Sequence, residues 1–300
     1  MRRKQPAWRI PCQPDPGINY LAERVCLAGR QTLRVRSVRI TVLGKSPAWQ
    51  DADGACSGYL VEDGDSCLLV DCGSGVFSKL RRFRDYGAVD AVVITHMHAD
   101  HFLDLIPFAC ALTYAPRRQP APVEWGSGTD VPACPRLLLP SGAKEVLRTI
   151  ACAGSQPYLL DQAFAMSEYD TSQTVVVGSL CVRFQPVPHF LPSNAIQVRC
   201  AAGGRFTYGA DHGPTDALDG FADDSDLMIL EATLPRPERD GPRGHLTPGE
   251  AGEHAARCNA ARLVLTHISD ELDWEWALAE ARRAFDGPVE VAREGAVYEV

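Results

Sequence analysis

No stretch of this 300-residue chain approaches the roughly 18 uncharged apolar residues that a membrane-spanning helix requires, so a span is not expected. The opening Met-Arg-Arg-Lys is followed by no apolar segment of the kind a secretory leader needs. The eleven cysteines include no Cys-x-x-Cys pair and are odd in number. That pattern predicts reduced, mostly buried thiols and a cytoplasmic location rather than a disulfide framework. Internal repeats are also missing. What remains, 45% hydrophobic and 23% charged residues, can bury a sizeable core as one large domain or two small ones. Charge is unevenly spread: residues 1–45 carry +8 and the rest −16, for a net of −8. The basic segment would either attract an anion or lie as a solvated arm on the acidic body, and the second reading is preferred. Pro11 to Gly17 suits neither helix nor strand, so residues 1–34 are expected to form an extension outside a core of residues 35–300. The Pro/Gly-rich stretch Pro116 to Pro135 predicts a long loop.

Local patterns place the remaining elements. Val35 to Leu43 alternates and is β-branched, and Ser57 to Val61 with Cys67 to Asp71 reads as a hairpin pair. Helices are expected over Gly75 to Tyr86 and His101 to Tyr114. Thr247-Pro248-Gly249-Glu250 is a capping box opening a helix to about Cys258. Asp273 to Phe285 carries apolar residues at helical spacing, in which Trp274 and Trp276 are expected to pack rather than bind. Cys72 and Cys110 read as small core residues.

The chemistry concentrates in Thr95-His-Met-His-Ala-Asp-His101, directly after the apolar run Ala91 to Ile94. A lone histidine is ordinarily a satisfied core or surface residue. Here His96, His98, Asp100 and His101 fall within six residues, and imidazole and carboxylate are the ligands a cation such as zinc prefers. The i, i+2 spacing lets His96 and His98 converge on one ion, while Asp100 and His101 point to a second position. His189 follows the strand-like Leu180 to Val187, Asp211 closes Arg205 to Ala210, and His267 closes Leu-Val-Leu-Thr. Each stands at the C-terminal end of a β-like run, where α/β folds place their sites. His245 lies in Gly-His-Leu-Thr, just ahead of the capped helix, and helix N-termini favour anions. His212 reads as an outer residue, His254 as an exposed helix residue, and Asp71 as a carboxylate that orients a histidine or a turn.

The heptad, the later His, Asp and His at strand ends, and the early Leu68-Leu-Val-Asp-Cys-Gly-Ser-Gly75 together resemble the metallo-β-lactamase superfamily. Gly244-His-Leu-Thr247, Glu250-Ala-Gly252, Leu265-Thr-His-Ile268 and Phe285-Asp-Gly-Pro-Val289 are similar to its branch of ribonuclease Z, small phosphodiesterases and actinobacterial cyclic-nucleotide phosphodiesterases. The resemblance implies an α/β fold, an αββα sandwich of two mixed sheets with outer helices. It implies two divalent metal ions, Zn²⁺ with Mn²⁺ as the alternative. His96, His98 and His189 would hold one, Asp100, His101 and His267 the other, and Asp211 would bridge them. His245 and Asp100 are the candidate catalytic residues, His245 serving the leaving oxygen and Asp100 doubling as a ligand. Such a pair lowers the pKa of bound water from about 15.7 toward about 7 and stabilises charge on attacking and leaving oxygens. The expected activity is hydrolysis of a small anionic nucleotide phosphodiester, such as a 3′,5′-cyclic nucleotide, by hydroxide. Thioesterase, lactonase and ribonuclease Z-like tRNA 3′ endonuclease are the alternatives. In ribonuclease Z a long arm that grips tRNA is typically inserted between the strand-end His and the bridging Asp. Only 21 residues separate His189 from Asp211, so a nucleic-acid partner is not expected. A homodimer is compatible with this reading.

Overall fold

The computed structural model describes residues 38–118, 129 and 132–300. The basic extension, and most of the loop expected over Pro116 to Pro135, lie outside the described residues.

Short apolar runs bounded by Gly, Pro and Asp become strands, and the described residues arrange them in two seven-stranded sheets. The first contains β1 (Arg39–Gly44), β2 (Gly58–Asp63), β3 (Ser66–Val70), β4 (Ala91–Val93), β5 (Arg136–Leu139), β6 (Ala165–Glu168) and β14 (Val297–Glu299). Its order is β14-β1-β2-β3-β4-β5-β6, antiparallel from β14 to β3 and parallel from β3 to β6. The second contains β7 (Val175–Val177), β8 (Leu180–Val187), β9 (Ser193–Cys200), β10 (Arg205–Tyr208), β11 (Leu227–Glu231), β12 (Leu263–Thr266) and β13 (Val289–Val291). It runs β13-β12-β11-β10-β9-β8-β7, again half antiparallel and half parallel. Both sheets are mixed, as expected.

Side-chain alternation builds the layers. In β3, Leu68 and Val70 face the second sheet while Cys67 and Leu69 face helices; in β11, Leu227 and Ile229 face inward and Met228 and Leu230 outward. Strands covered on both faces lose polar alternation, which is why these runs read as continuously apolar. One core lies between the sheets, centred on Tyr59, Tyr208, Phe206 and Ile40. A second packs the first sheet under α1 (Val76–Phe83), α3 (Leu105–Tyr114), α4 (Ala143–Ala153) and α5 (Leu159–Ala163). A third packs the second sheet under α6 (Pro248–Arg257) and α7 (Trp274–Ala281), where Trp274 and Trp276 are partly buried packing residues. The order is helix, sheet, sheet, helix.

Three expectations need correction. The helix expected over His101 to Tyr114 is two, α2 (Ala99–Phe102) and α3, broken at Leu103 and Asp104. Pro107 is the cause: it has no N–H for the Leu103 carbonyl, and its ring would collide with that carbonyl in a continuous helix. Seven described cysteines are free, but Cys134 and Cys181 are disulfide-bonded, so the thiols are not all reduced. His254 is buried at 2% exposure rather than exposed, its ring edge-on to that of buried His212 at 5.2 Å. The capping box forms as expected, with both Thr247–Glu250 hydrogen bonds present.

Candidate metal centre

The strand ends deliver their polar residues to one edge of the sandwich. β4 runs into His96, β8 into His189, β10 into Asp211 and β12 into His267. Asp71, Ala210 and His267 have left-handed backbones (φ 57°, 56° and 50°), unusual for residues other than glycine. Such strain persists where the surroundings over-determine it. Gly73 is required by a close approach: a Cβ there would stand 1.8 Å from the Asp100 carbonyl oxygen. That approach lets the Cys72 amide donate to the His101 carbonyl at 2.7 Å, tying the Asp71 strand end to the heptad.

All seven expected ligands meet, in two groups that share Asp211. His96, His98, His189 and Asp211 form one, and Asp100, His101, Asp211 and His267 the other, with ligand atoms in each within 4.8 Å of one another. In the first, His98 Nδ1 lies 3.2 Å from His96 Nε2 and 3.0 Å from His189 Nε2. In the second, His267 Nε2 lies 3.1 Å from Asp100 Oδ2 and 3.2 Å from Asp211 Oδ2. His101 Nε2 stands 3.4 and 3.3 Å from the same two oxygens.

An outer ring of acceptors sets which nitrogen each histidine presents. His101 Nδ1 donates to Asp71 at 2.7 Å, and Asp71 also accepts from the amide and hydroxyl of Thr95. His96 Nδ1 donates to the Thr95 hydroxyl at 3.0 Å, His189 Nδ1 to the Gly244 carbonyl at 2.7 Å, and His267 Nδ1 to the Thr233 hydroxyl at 2.7 Å. Four rings therefore turn Nε2 inward as the atom that would meet a cation, with His98 presenting Nδ1.

The donor set fits cations. Ring nitrogens of His96, His98 and His189 converge on one point, and His101 Nε2 and Asp211 Oδ1 are buried with no hydrogen-bond partner. Burial holds His96 well below the usual imidazole pKa and also lowers His98 and His189, keeping them neutral. Burial opposes the charge on Asp211, but His267 and His101 outweigh it and hold the carboxyl well below its usual range. Burial likewise opposes charge on Asp100, yet the adjoining imidazoles of His101 and His267 outweigh it and keep it ionised. At His101 burial is outweighed by Asp211 and Asp71, which raise its pKa, so the second group gives up a proton when a cation enters.

His245 stands beside both groups, its ring 5.0 Å from that of His189 and 5.5 Å from that of His267. Its Nδ1 donates to Glu231, 3.0 Å from each carboxylate oxygen. Burial opposes a charged His245, but the Glu231 hydrogen bond and charge push its pKa up to about 9. Glu231 is fully buried, and also accepts from the amides of His212 and Leu246 and the Thr233 hydroxyl. Glu231, Thr233 and the Gly244 carbonyl escape a reading of the sequence. The available signal was a carboxylate ending the apolar run Leu-Met-Ile-Leu, as Asp211 follows β10. Glu231, His245 and His267 also approach one another closely enough to form a third group. His245 Nδ1 is committed to Glu231, and the raised pKa leaves the ring carrying a proton at neutral pH.

Known proteins are similar to this chain in sequence and fold. Residues 66–268 match the model described as "Beta-lactamase superfamily domain". Protein ML1173 of Mycobacterium leprae (strain TN) is 31% identical over 295 residues, covering 96% of this chain and 94% of that protein. The probable metallo-hydrolase YhfI of Bacillus subtilis (strain 168) is 28% identical, covering 87% and 100%. Its crystal structure superposes with a TM-score of 0.75 at 26% identity, covering 88% of this chain and 100% of that one. Ribonuclease Z of Haloarcula marismortui is 28% identical, covering 86% and 96%. With its αββα layers and two Asp211-sharing groups at one sheet edge, the chain belongs to the metallo-β-lactamase superfamily and is a metal-dependent hydrolase of that fold.

Proposed function

We propose that the chain hydrolyses the phosphodiester of a small nucleotide, with a 3′,5′-cyclic nucleotide as the best candidate, in a centre that takes two divalent cations. His96, His98, His189 and Asp211 would hold one, and Asp100, His101, Asp211 and His267 the other. Zinc is the expected ion and manganese the alternative. Bound there, the cations supply Lewis acidity, acidifying water toward a neutral pKa and offsetting phosphate charge.

The observation that carries the reading is the Glu231–His245 pair between a histidine of each group. With Nδ1 committed to Glu231, Nε2 is the ring atom available to substrate, and the carboxylate keeps it protonated at neutral pH. An alkoxide leaving from a phosphodiester is a strong base and needs such a proton. A thiolate leaves without one, so a thioesterase would gain nothing from this pair. Asp71, Thr95, Thr233 and the Gly244 carbonyl hold the surrounding rings in place, so the proton is delivered from a fixed point.

A ribonuclease Z-like tRNA endonuclease is the second reading, favoured by relatives of that name. The region between His189 and Asp211 argues against it. There β9 and β10 pair directly through the short turn at residues 201–204, with no inserted arm. The deciding experiment is a panel on purified, metal-loaded protein: cyclic nucleotides, precursor tRNA, thioesters and lactones. Turnover of the cyclic nucleotides is expected. Turnover confined to a thioester or lactone would reject the phosphodiesterase reading.

A further inference from the structure

Phe190 follows His189, yet its side chain does not enter any core. It is 54% exposed, while its ring lies 5.1 Å from that of His189 and 5.7 Å from that of His245. One edge rests on Gly244, where a Cβ would meet the ring at 2.4 Å. Gly244 is thus shaped to seat a ring whose remaining surface faces solvent at the mouth of the metal centre. Scattered exposed apolar residues are ordinary. This one is distinguished by its position beside the proton donor.

That position has a chemical consequence. If His245 Nε2 delivers a proton to the leaving oxygen, the group attached to that oxygen starts within a few ångströms of the imidazole. The Phe190 ring is the neighbouring apolar surface. A hydrated sugar or polar chain gains little from it, whereas a flat heterocycle can cover it by stacking. Resting on the phosphodiesterase reading, we infer that Phe190 is a specificity residue, a platform for the nucleobase of the substrate.

Two cyclic phosphodiesters with alkoxide leaving groups separate base from phosphate: a 3′,5′-cyclic nucleotide and glycerol 1,2-cyclic phosphate, which has no ring to stack. Phe190→Ala is expected to raise KM for the nucleotide about 5- to 100-fold, the range of a lost base–aromatic stack. The kcat, the metal content and KM for the glycerol compound should change little. Phe190→Trp should restore the nucleotide KM, and Phe190→Leu, apolar but without a π face, should not. Equal KM increases on both substrates, or a fall in kcat with loss of metal, would overturn the inference and make Phe190 a support for His189 and His245. Calorimetry of nucleoside 5′-monophosphate against ribose 5-phosphate, on metal-loaded protein, reads the platform without turnover. A wild-type preference for the nucleotide that Phe190→Ala removes supports the platform even if neither diester is hydrolysed, an outcome that sinks the parent reading alone. No such preference in the wild type overturns the platform itself.

Discussion

The titratable side chains of the centre are set by their immediate neighbours, and single substitutions separate the roles. His245 depends on Glu231. His245→Ala should lower kcat by roughly 10²–10⁴, the range for a positioned acid, with metal content unchanged. The loss should shrink for a nitrophenyl ester, whose leaving group needs no proton. Glu231→Gln tests the same pair by pH. An acid works while protonated, so activity persists below its pKa and is lost above it. Glu231 pushes His245 up to about 9; without that charge the pKa falls toward the ordinary value of about 6.5. The alkaline limb of kcat/KM should therefore move to lower pH, and an unmoved limb would assign the proton to another group. Asp211 is the residue common to both cation groups. Asp211→Ala should reduce bound metal from about two equivalents per chain toward one and remove most hydrolysis. Full activity in the metal-stripped variant would end the dinuclear reading.

Elements act through what they bring together at the sheet edge, and here the limits of a sequence reading are physical. The heptad's residues are neighbours in the chain, so their convergence follows from local geometry and was legible. His189, Asp211 and His267 were legible because each terminates an apolar run. Glu231 was not, because its role depends on register: β11 and β12 pair in parallel with Glu231 opposite Thr266, placing its carboxylate beside the His267 turn. Nor was the burial of His254, which depends on the helix face that meets His212. The α2–α3 break is encoded in Pro107, whose missing N–H interrupts the helix expected over His101 to Tyr114. The contact between the Asp71 strand end and the heptad is testable at Gly73. Gly73→Ala drives a Cβ against the Asp100 backbone, so the heptad or its partner strand must shift. Overpacking of this kind costs about 1–3 kcal/mol, and the melting temperature and metal affinity should fall together. Gly249→Ala, in α6 with only an ordinary 3.9 Å contact, should do neither. If Gly73→Ala melts earlier but binds metal as the wild type does, the close approach serves stability alone.

At the scale of the whole molecule, charge and shape choose between a small diester and a polyanion. Residues 46–300 carry −16, and binding of a folded RNA rests on many Lys and Arg contacts to phosphates. The direct β9–β10 turn leaves no arm between His189 and Asp211 to reach beyond the cleft. The small nucleotide proposed as substrate would avoid both problems: its one phosphate would be offset within the centre, and its remaining contacts would be short-ranged. Hydrolysis of a 3′,5′-cyclic nucleotide should therefore depend weakly on ionic strength, since screening acts mainly between charges farther apart than about 10 Å at 0.1 M salt. Precursor tRNA should be a poor substrate and a weak competitor at physiological salt. The measurement is kcat/KM for both substrates between about 50 and 200 mM salt, a range over which a protein making many phosphate contacts loses orders of magnitude in affinity. Efficient cleavage of precursor tRNA that falls steeply with salt, beside inertness toward cyclic nucleotides, would reverse the assignment. It would also place the recognition surface among the basic residues near the N-terminus, which carry the only large positive balance in the sequence.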